Sequence, residues 1–255
     1  MKTNWLMALP AITMAAFTQG ASAQTVTIAS DLWCPYICSD KANPGAIIEA
    51  AAKAVALKGY KLEFKEIPYT RAIQMAEYGE LDIVATVAEG NNGKLLQNEV
   101  PFGTSVYGIA QRKGAGLKLD SVADLQGKKL SVIPGYTYGT EIDAMITANP
   151  KAFDINTGDD PLKQIFLKLE ANRTDLVIDD IVALNHRIKN EGFADKLEVK
   201  PASKQMLPPF KLFYAFAPTK PTTPDYMKAL DDGLRSLKQS GELTKIAEKY
   251  AIILE

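Results

Sequence analysis

Residues 79–87 read Gly-Glu-Leu-Asp-Ile-Val-Ala-Thr-Val. A glycine that ends a helix, followed by a compact run of apolar and β-branched residues, predicts a strand buried on both faces, as in parallel sheets. The residues before it fit that reading. Thr25 to Ser30 (TVTIAS) alternates as a short strand. Asn43-Pro44 then supplies a helix start, Asn as N-cap and Pro at the first helical position. Ile47, Ile48, Ala51 and Val55 fall on one face of this helix, and Gly59 stops it. Tyr60 to Ile67 alternates again, and a short helix covers Thr70 to Tyr78. The order up to Val87 is therefore β-α-β-α-β.

Beyond the turn residues 89–93 the pattern restarts. Ser105 to Gln111 and Leu130 to Ile133 read as strands, Gly139 to Thr147 as a helix, and Phe153 to Asn156 as a weak strand. Asp160-Pro161 opens a helix; Leu176 to Ile178 is a buried strand, Ile181 to Lys189 a helix and Leu212 to Ala217 a strand. Two helices divided by Gly241 end the chain. This is two α/β units in series. Open parallel sheets bind ligands beyond the carboxyl ends of their strands. A site is expected among Asp31–Tyr36, Pro68–Arg71, Val87–Lys94, Pro134–Thr140 and Asp179-Asp180.

The first residues carry one charge, Lys2, then an apolar run from Trp5 to Phe17 and Ala21-Ser22-Ala23. These are the parts of a cleaved signal peptide, residues 1–23, which implies a periplasmic protein. The run is shorter than the roughly 20 apolar residues a membrane span needs. Lys and Arg number 29 against 30 Asp and Glu, with a formal net charge of −1. That balance gives no electrostatic footprint for nucleic acid. There is no Gly-rich phosphate loop with Lys-Ser/Thr and no G-x-S-x-G elbow. One histidine and two neighbouring cysteines fall short of the usual zinc ligand count. No cofactor and no metal is expected.

Four segments in this order, GELDIVATV, LQGKKLSVIPGYTYGTEID, RTDLVIDD and LKQSGELTKIAEKY, resemble the extracellular solute-binding proteins of family 3, which serve polar amino-acid ABC transporters. The resemblance implies a type II periplasmic-binding-protein-like α/β fold, two lobes joined by two hinge strands with a ligand cleft between them. It places lobe one at 24–108 plus 216–255 and lobe two at 109–215. It implies a monomer that closes on a small polar ligand and hands it to a membrane permease. Two other uses of the scaffold stay open: a periplasmic enzyme of the small-acid dehydratase type, with Glu89 near a cation as acid or base, and a ligand-sensing module.

The resemblance also assigns residues. Trp33-Cys34-Pro35-Tyr36 matches an aromatic-x-Pro-aromatic segment whose first ring packs on the ligand, so Trp33 and Tyr36 are expected at the site. Cys34 and Cys38 stand at C-x₃-C spacing, unlike the C-x₂-C of thiol oxidoreductases. In an exported protein they are expected to form a local disulfide, the alternative being two reduced thiols without a role. Tyr69 matches a second aromatic, facing Trp33 across the ligand. Asp180, at Asp-x₄-Asp spacing from Asp175, is expected to meet the ligand ammonium; the alternative is that Asp179 or Asp180 caps the following helix, one capping while the other binds. Thr137, after Tyr136 in the 135–139 turn, matches a hydroxyl that helps hold a carboxylate. The family's Ser/Thr-x₄-Arg becomes Glu89-x₄-Lys94 here, and Lys cannot make the bidentate fork that Arg makes to a carboxylate. Lys94 and Arg71 are both candidates for the anion partner.

Overall fold

The computed structural model describes residues 23–254. The predicted signal peptide lies, all but its last residue, outside them. The first half contains β1 (Thr25–Ser30), α1 (Ala46–Ala56), β2 (Lys61–Glu66), α2 (Tyr69–Glu77), β3 (Ile83–Ala88) and two short strands, β4 (Leu96–Gln97) and β5 (Gly103–Ser105). The second contains β6 (Tyr107–Arg112), β7 (Leu130–Val132), α3 (Thr140–Ala148), β8 (Asp154–Ile155), α4 (Pro161–Glu170), β9 (Leu176–Asp180), α5 (Ile181–Asn190) and β10 (Leu197–Pro201). Strand β11 (Phe210–Phe216) and helices α6 (Thr223–Gln239) and α7 (Glu242–Tyr250) follow.

Two sheets result. One runs β2-β1-β3-β11-β4, with β5 also on β11; the other runs β10-β6-β9-β7-β8. β1 is parallel to β2 and β3, and β7 is parallel to β8 and β9. β11 and β6 insert antiparallel, β11 beside β3 and β6 beside β9. These two are the strands next to which the chain changes sheets. The alternating run from Ser105 to Gln111, expected as one strand, breaks at Val106. Ser105 pairs with Phe210 in the first sheet, and Tyr107 pairs with Asp180 in the second. The return crossing falls within residues 202–209, because β11 belongs wholly to the first sheet. Lobe two therefore ends before β11 and not at residue 215, and lobe one gains that strand. Strand content reads from alternation, but sheet membership is set by the pairing partner.

Each sheet is covered on both faces. In lobe one, α1, α6 and α7 bury Ile47, Val55, Leu230, Leu234 and Ile246 against Ile28 and Ile83, while α2 sets Tyr69, Ala72 and Ala76 against Val84 and Val87. In lobe two, α4 and α5 place Phe166, Leu184 and Ile188 on Val177, and Tyr138 and Ile142 close the other face over Leu130 and Ile178. Arg187 of α5 is buried and forks onto Asp160, its Nη1 and Nη2 donating at 2.7 and 2.8 Å. This ties α5 to the start of α4. No helix among the described residues is long and apolar enough to cross a membrane.

The start of α1 departs from expectation. Its N-cap is Gly45, at φ 97, and not Asn43. The reason is the loop above it. Cys34 and Cys38 are joined by a disulfide, and Trp33 and Ile37 exchange backbone hydrogen bonds of 2.9 and 3.0 Å across the turn. The N–H groups of Ala46 and Ile47, which have no partner within the helix, donate to Pro35 O and Tyr36 O at 3.0 Å each. A Cβ on residue 45 would lie 2.3 Å from Tyr36 O. Only glycine both adopts this backbone and lets the loop sit directly on the helix. Gly45→Ala should lower Tm by about 6 °C or more, since a clash adds to the positive-φ strain. Gly59→Ala, at φ 82 but with nothing within 4 Å of the new Cβ, should cost only about 2–4 °C. Scanning calorimetry of the two variants checks the comparison; equal losses would remove the loop contact from the account.

Candidate functional site

The carboxyl ends of β1, β3, β7 and β9 face one another across a cleft of about 510 Å³, open solvent included. Lobe one contributes Trp33, Tyr69 and Thr86, and lobe two Tyr136, Thr137, Tyr138, Asp179 and Asp180. Tyr107 and Phe210, at the two crossings, form the wall between them with ring centroids 5.0 Å apart.

Two hydrogen bonds join the lobes reciprocally. The Trp33 indole Nε1 donates to Asp179 Oδ1 at 2.8 Å, and the Tyr136 hydroxyl donates to Asp31 Oδ2 at 3.1 Å. Each lobe presents one aromatic donor and one carboxyl acceptor to the other. The edge of Tyr69 meets Tyr136 at 5.2 Å, and the Leu32 N–H donates to Asp159 O at 2.9 Å. Trp33 is held from behind by Tyr36, stacked at 4.4 Å and 25°. Tyr36 itself is buried and does not line the cleft, so its place is beneath the platform and not on a ligand.

The adjacent acids at the end of β9 differ in their partners. Asp180 is the N-cap of α5: Oδ1 accepts from the Val182 and Ala183 N–H groups at 2.8 and 2.9 Å, and Oδ2 accepts from Ser105 Oγ at 2.9 Å. Both its oxygens are occupied inside the protein. Asp179 Oδ1 accepts from Trp33 and from the Asp180 N–H at 2.6 Å, but Asp179 Oδ2 is buried with no hydrogen-bond partner. Thr86 Oγ1 is in the same condition. These are two of three such side-chain atoms among the described residues, and both residues line the cleft.

The other expected residues are placed as follows. Trp33, Tyr69, Tyr136 and Thr137 come together in the cleft. The Thr137 hydroxyl donates to Asp143 Oδ2 at 2.7 Å, and the Tyr138 N–H donates to Asp143 Oδ1 at 2.8 Å. Arg71 and Lys94 are exposed, and neither lines the cleft. Glu89 is exposed on the rim of an adjoining groove, beside Glu141 and Asp143. No lysine, arginine or histidine among the described residues lines the cleft. Sequence reading passed over Thr86, Ser105, Tyr107, Asp143 and Phe210. Position after a strand flagged Asp31 and Asp179, but nothing local says which carboxylate of a pair lacks partners.

Burial dominates the electrostatics. It raises Asp31 to about 7, with the nearby Asp179 charge adding and the Tyr136 and Ser30 hydroxyls opposing. It raises Asp179 to about 7 as well, against the donated hydrogen bonds of Trp33 and the Asp180 N–H. Asp180 is also raised, again by burial. Asp179 and Asp180 thus line an aromatic cleft with no basic residue on its walls among the described residues, and Asp31 meets Tyr136 beside it.

Known structures of this shape are numerous. A putative L-cystine ABC transporter protein from Listeria monocytogenes superposes with a TM-score of 0.72 at 20% identity, covering 89% of this chain and 96% of that one. The chain has the periplasmic-binding-protein fold. A histidine kinase sensor domain with similarity to periplasmic binding proteins gives 0.74 at 16% identity, covering 91% and 98%. The ancestral amino acid-binding protein AncCDT-1, a precursor of cyclohexadienyl dehydratase, gives 0.67 at 22% identity, covering 89% and 95%. No protein-family model matches the chain, and no curated protein does. One fold serves a transporter, a sensor and the forerunner of an enzyme, so function has to be argued from the site.

Asp179 keeps its proton to about pH 7 in the folded chain but only to about pH 4 when unfolded. Its favourable contribution is full below about pH 4 and is lost as pH rises through 7. Asp179→Asn retains an acceptor for Trp33 and removes the buried charge. It should raise Tm by several degrees at pH 8 and by progressively less toward pH 4. A variant less stable than the parent at pH 8 would contradict the burial penalty.

Proposed function

We propose that this protein is a periplasmic solute-binding protein that captures a small polar ligand by closure of its two lobes and delivers it to the permease of an ABC transporter. The reading is supported above all by the reciprocal Trp33–Asp179 and Tyr136–Asp31 bonds across the cleft. They are contacts that hinge opening would break, and they sit at the walls a ligand would touch. A ligand contacting both lobes favours the closed form by its differential affinity for it. The disulfide-closed loop 34–38, seated on α1, holds the Trp33 platform so that less order has to be gained on binding. The cleft between the two lobes and the signal peptide expected from the sequence fit a carrier that shuttles between free ligand and a membrane partner.

A second reading, a dehydratase-type enzyme, draws on Asp31 and Asp179, carboxyls poised near neutral pH as a general acid or base would be. A small-acid substrate would also need a cation beside them. The two candidates, Arg71 and Lys94, stand outside the cleft. Binding without turnover is therefore the better-supported reading.

Native mass spectrometry of protein purified without denaturant should reveal a bound small molecule. Restoring that molecule to stripped, refolded protein should raise Tm and reduce the radius of gyration in small-angle scattering. Trp33→Phe keeps the ring but loses the donor, and a hydrogen bond to a charged acceptor contributes about 1.5–3 kcal/mol. Affinity should fall about 10- to 100-fold. Unchanged scattering with the molecule bound would refute lobe closure, and chemical conversion of the molecule would make the protein an enzyme.

A further inference from the structure

We propose that the ligand is a small organic cation without a carboxylate, an alkyl amine or diamine whose ammonium sits on Asp179 Oδ2 and Thr86 Oγ1 and whose carbon body lies among the cleft aromatics. This deepens the solute-capture reading and rests on it. Three independent observations carry it.

The first is the pair of acceptors without partners. Asp179 is 5% exposed and Oδ2 makes no hydrogen bond, and Thr86 Oγ1 makes none either. Buried polar atoms ordinarily find partners, and a group left without one marks a place where an outside group completes the structure. An ammonium brings three donors and no acceptor, which is what a carboxylate oxygen and a hydroxyl both accept. The second is that two donors of the 135–139 turn which could receive a carboxylate are already filled. The Thr137 hydroxyl and the Tyr138 N–H are both held by the carboxylate of Asp143. No lysine, arginine or histidine among the described residues lines the cleft, so a ligand carboxylate would meet Asp179 and Asp180 without a counter-charge. The third is the surroundings. Trp33, Tyr69, Tyr107 and Phe210 offer ring surface to a cation, and Glu89, Glu141 and Asp143 make the adjoining groove acidic, which favours approach of positive charge.

Proton linkage follows from the same geometry. The groups that bear on Asp179 are Asp180 on its own strand, the Trp33 indole and Tyr36 from the β1 loop, Asp31 at the end of β1, Tyr107 of β6, Tyr136 and Tyr138 from the 135–139 turn, and Arg187 of α5. Asp179 is the acid whose second oxygen has no partner, and a bound ammonium stabilises its ionised form. Affinity should therefore rise from pH 6 to pH 8 while the amine stays charged.

Calorimetric titration of the purified, ligand-stripped chain tests this with three pairs that differ by one carboxylate: putrescine against ornithine, cadaverine against lysine, and agmatine against arginine. At least one amine should bind, and at least 10-fold tighter than its amino acid, with affinity increasing from pH 6 to 8. Asp179→Asn should lose at least 50-fold in amine affinity while remaining folded by its Tm, and Thr86→Val about 5-fold. An amino acid that binds as tightly as its amine overturns the inference and leaves solute capture standing. So does an anionic or neutral molecule found bound in the native mass spectrum. Failure of all six probes overturns it too, and the scattering and mass-spectrometric tests then decide separately whether any solute is captured.

Discussion

A buried carboxyl group facing an aromatic donor of the opposite lobe is the constraint on which this molecule turns. It occurs twice, in opposite senses: Trp33 reaches Asp179, and Tyr136 reaches Asp31. Each acid lies at the end of a strand in its own sheet, and each donor stands on a loop just after a strand of the other. The lobes therefore meet through directional polar bonds as well as through ring contacts such as Tyr69 against Tyr136. A few directional bonds can be made and broken as a hinge moves. The two crossings, at Val106 and within residues 202–209, are short enough to act as such hinges.

The Trp33 platform shows how the fold supports that constraint. A tryptophan on a free loop would lose rotational freedom each time it met its partner. Here the loop is closed by the Cys34–Cys38 disulfide, sealed by the Trp33–Ile37 backbone pair and seated on the first turn of α1. Tyr36 then stacks beneath the indole. The C-x₃-C pair, which looks at first like a fragment of a redox motif, closes the loop that carries Trp33.

The cost of the arrangement is borne by the acids. Asp31 and Asp179 are almost wholly removed from water, and burial holds both near pKa 7. A sequence selected for stability alone would place amides or apolar groups there. Natural binding sites commonly retain such destabilising groups because their interaction with a ligand outweighs the loss. Asp143 tells the complementary story. By taking the Thr137 hydroxyl and the Tyr138 N–H it satisfies part of the turn from within, and so withholds two donors from an outside anion.

Much of this was legible in the chain itself. Periodicity gave the strands and helices of both units, and the rule that sites follow strands pointed to the segments containing Asp31, Trp33, Tyr136 and Asp179. Those are consequences of local pattern: a strand repeats every two residues and a helix every 3.6, whatever lies beyond them. Asp179 and Asp180 mark where that legibility stops. They are neighbours of identical chemistry on β9, and their side chains point to opposite faces. One caps α5 and bonds Ser105, 75 positions away in sequence, and the other meets Trp33, 146 positions away. Lys94 and Arg71 likewise had the right charge in the right segments, yet both stand in solvent outside the cleft. The sheet to which β11 belongs was hidden for the same reason. Residue type and spacing set what a side chain can do, but its partners and its access to water come from distant segments, and only the assembled fold brings those together.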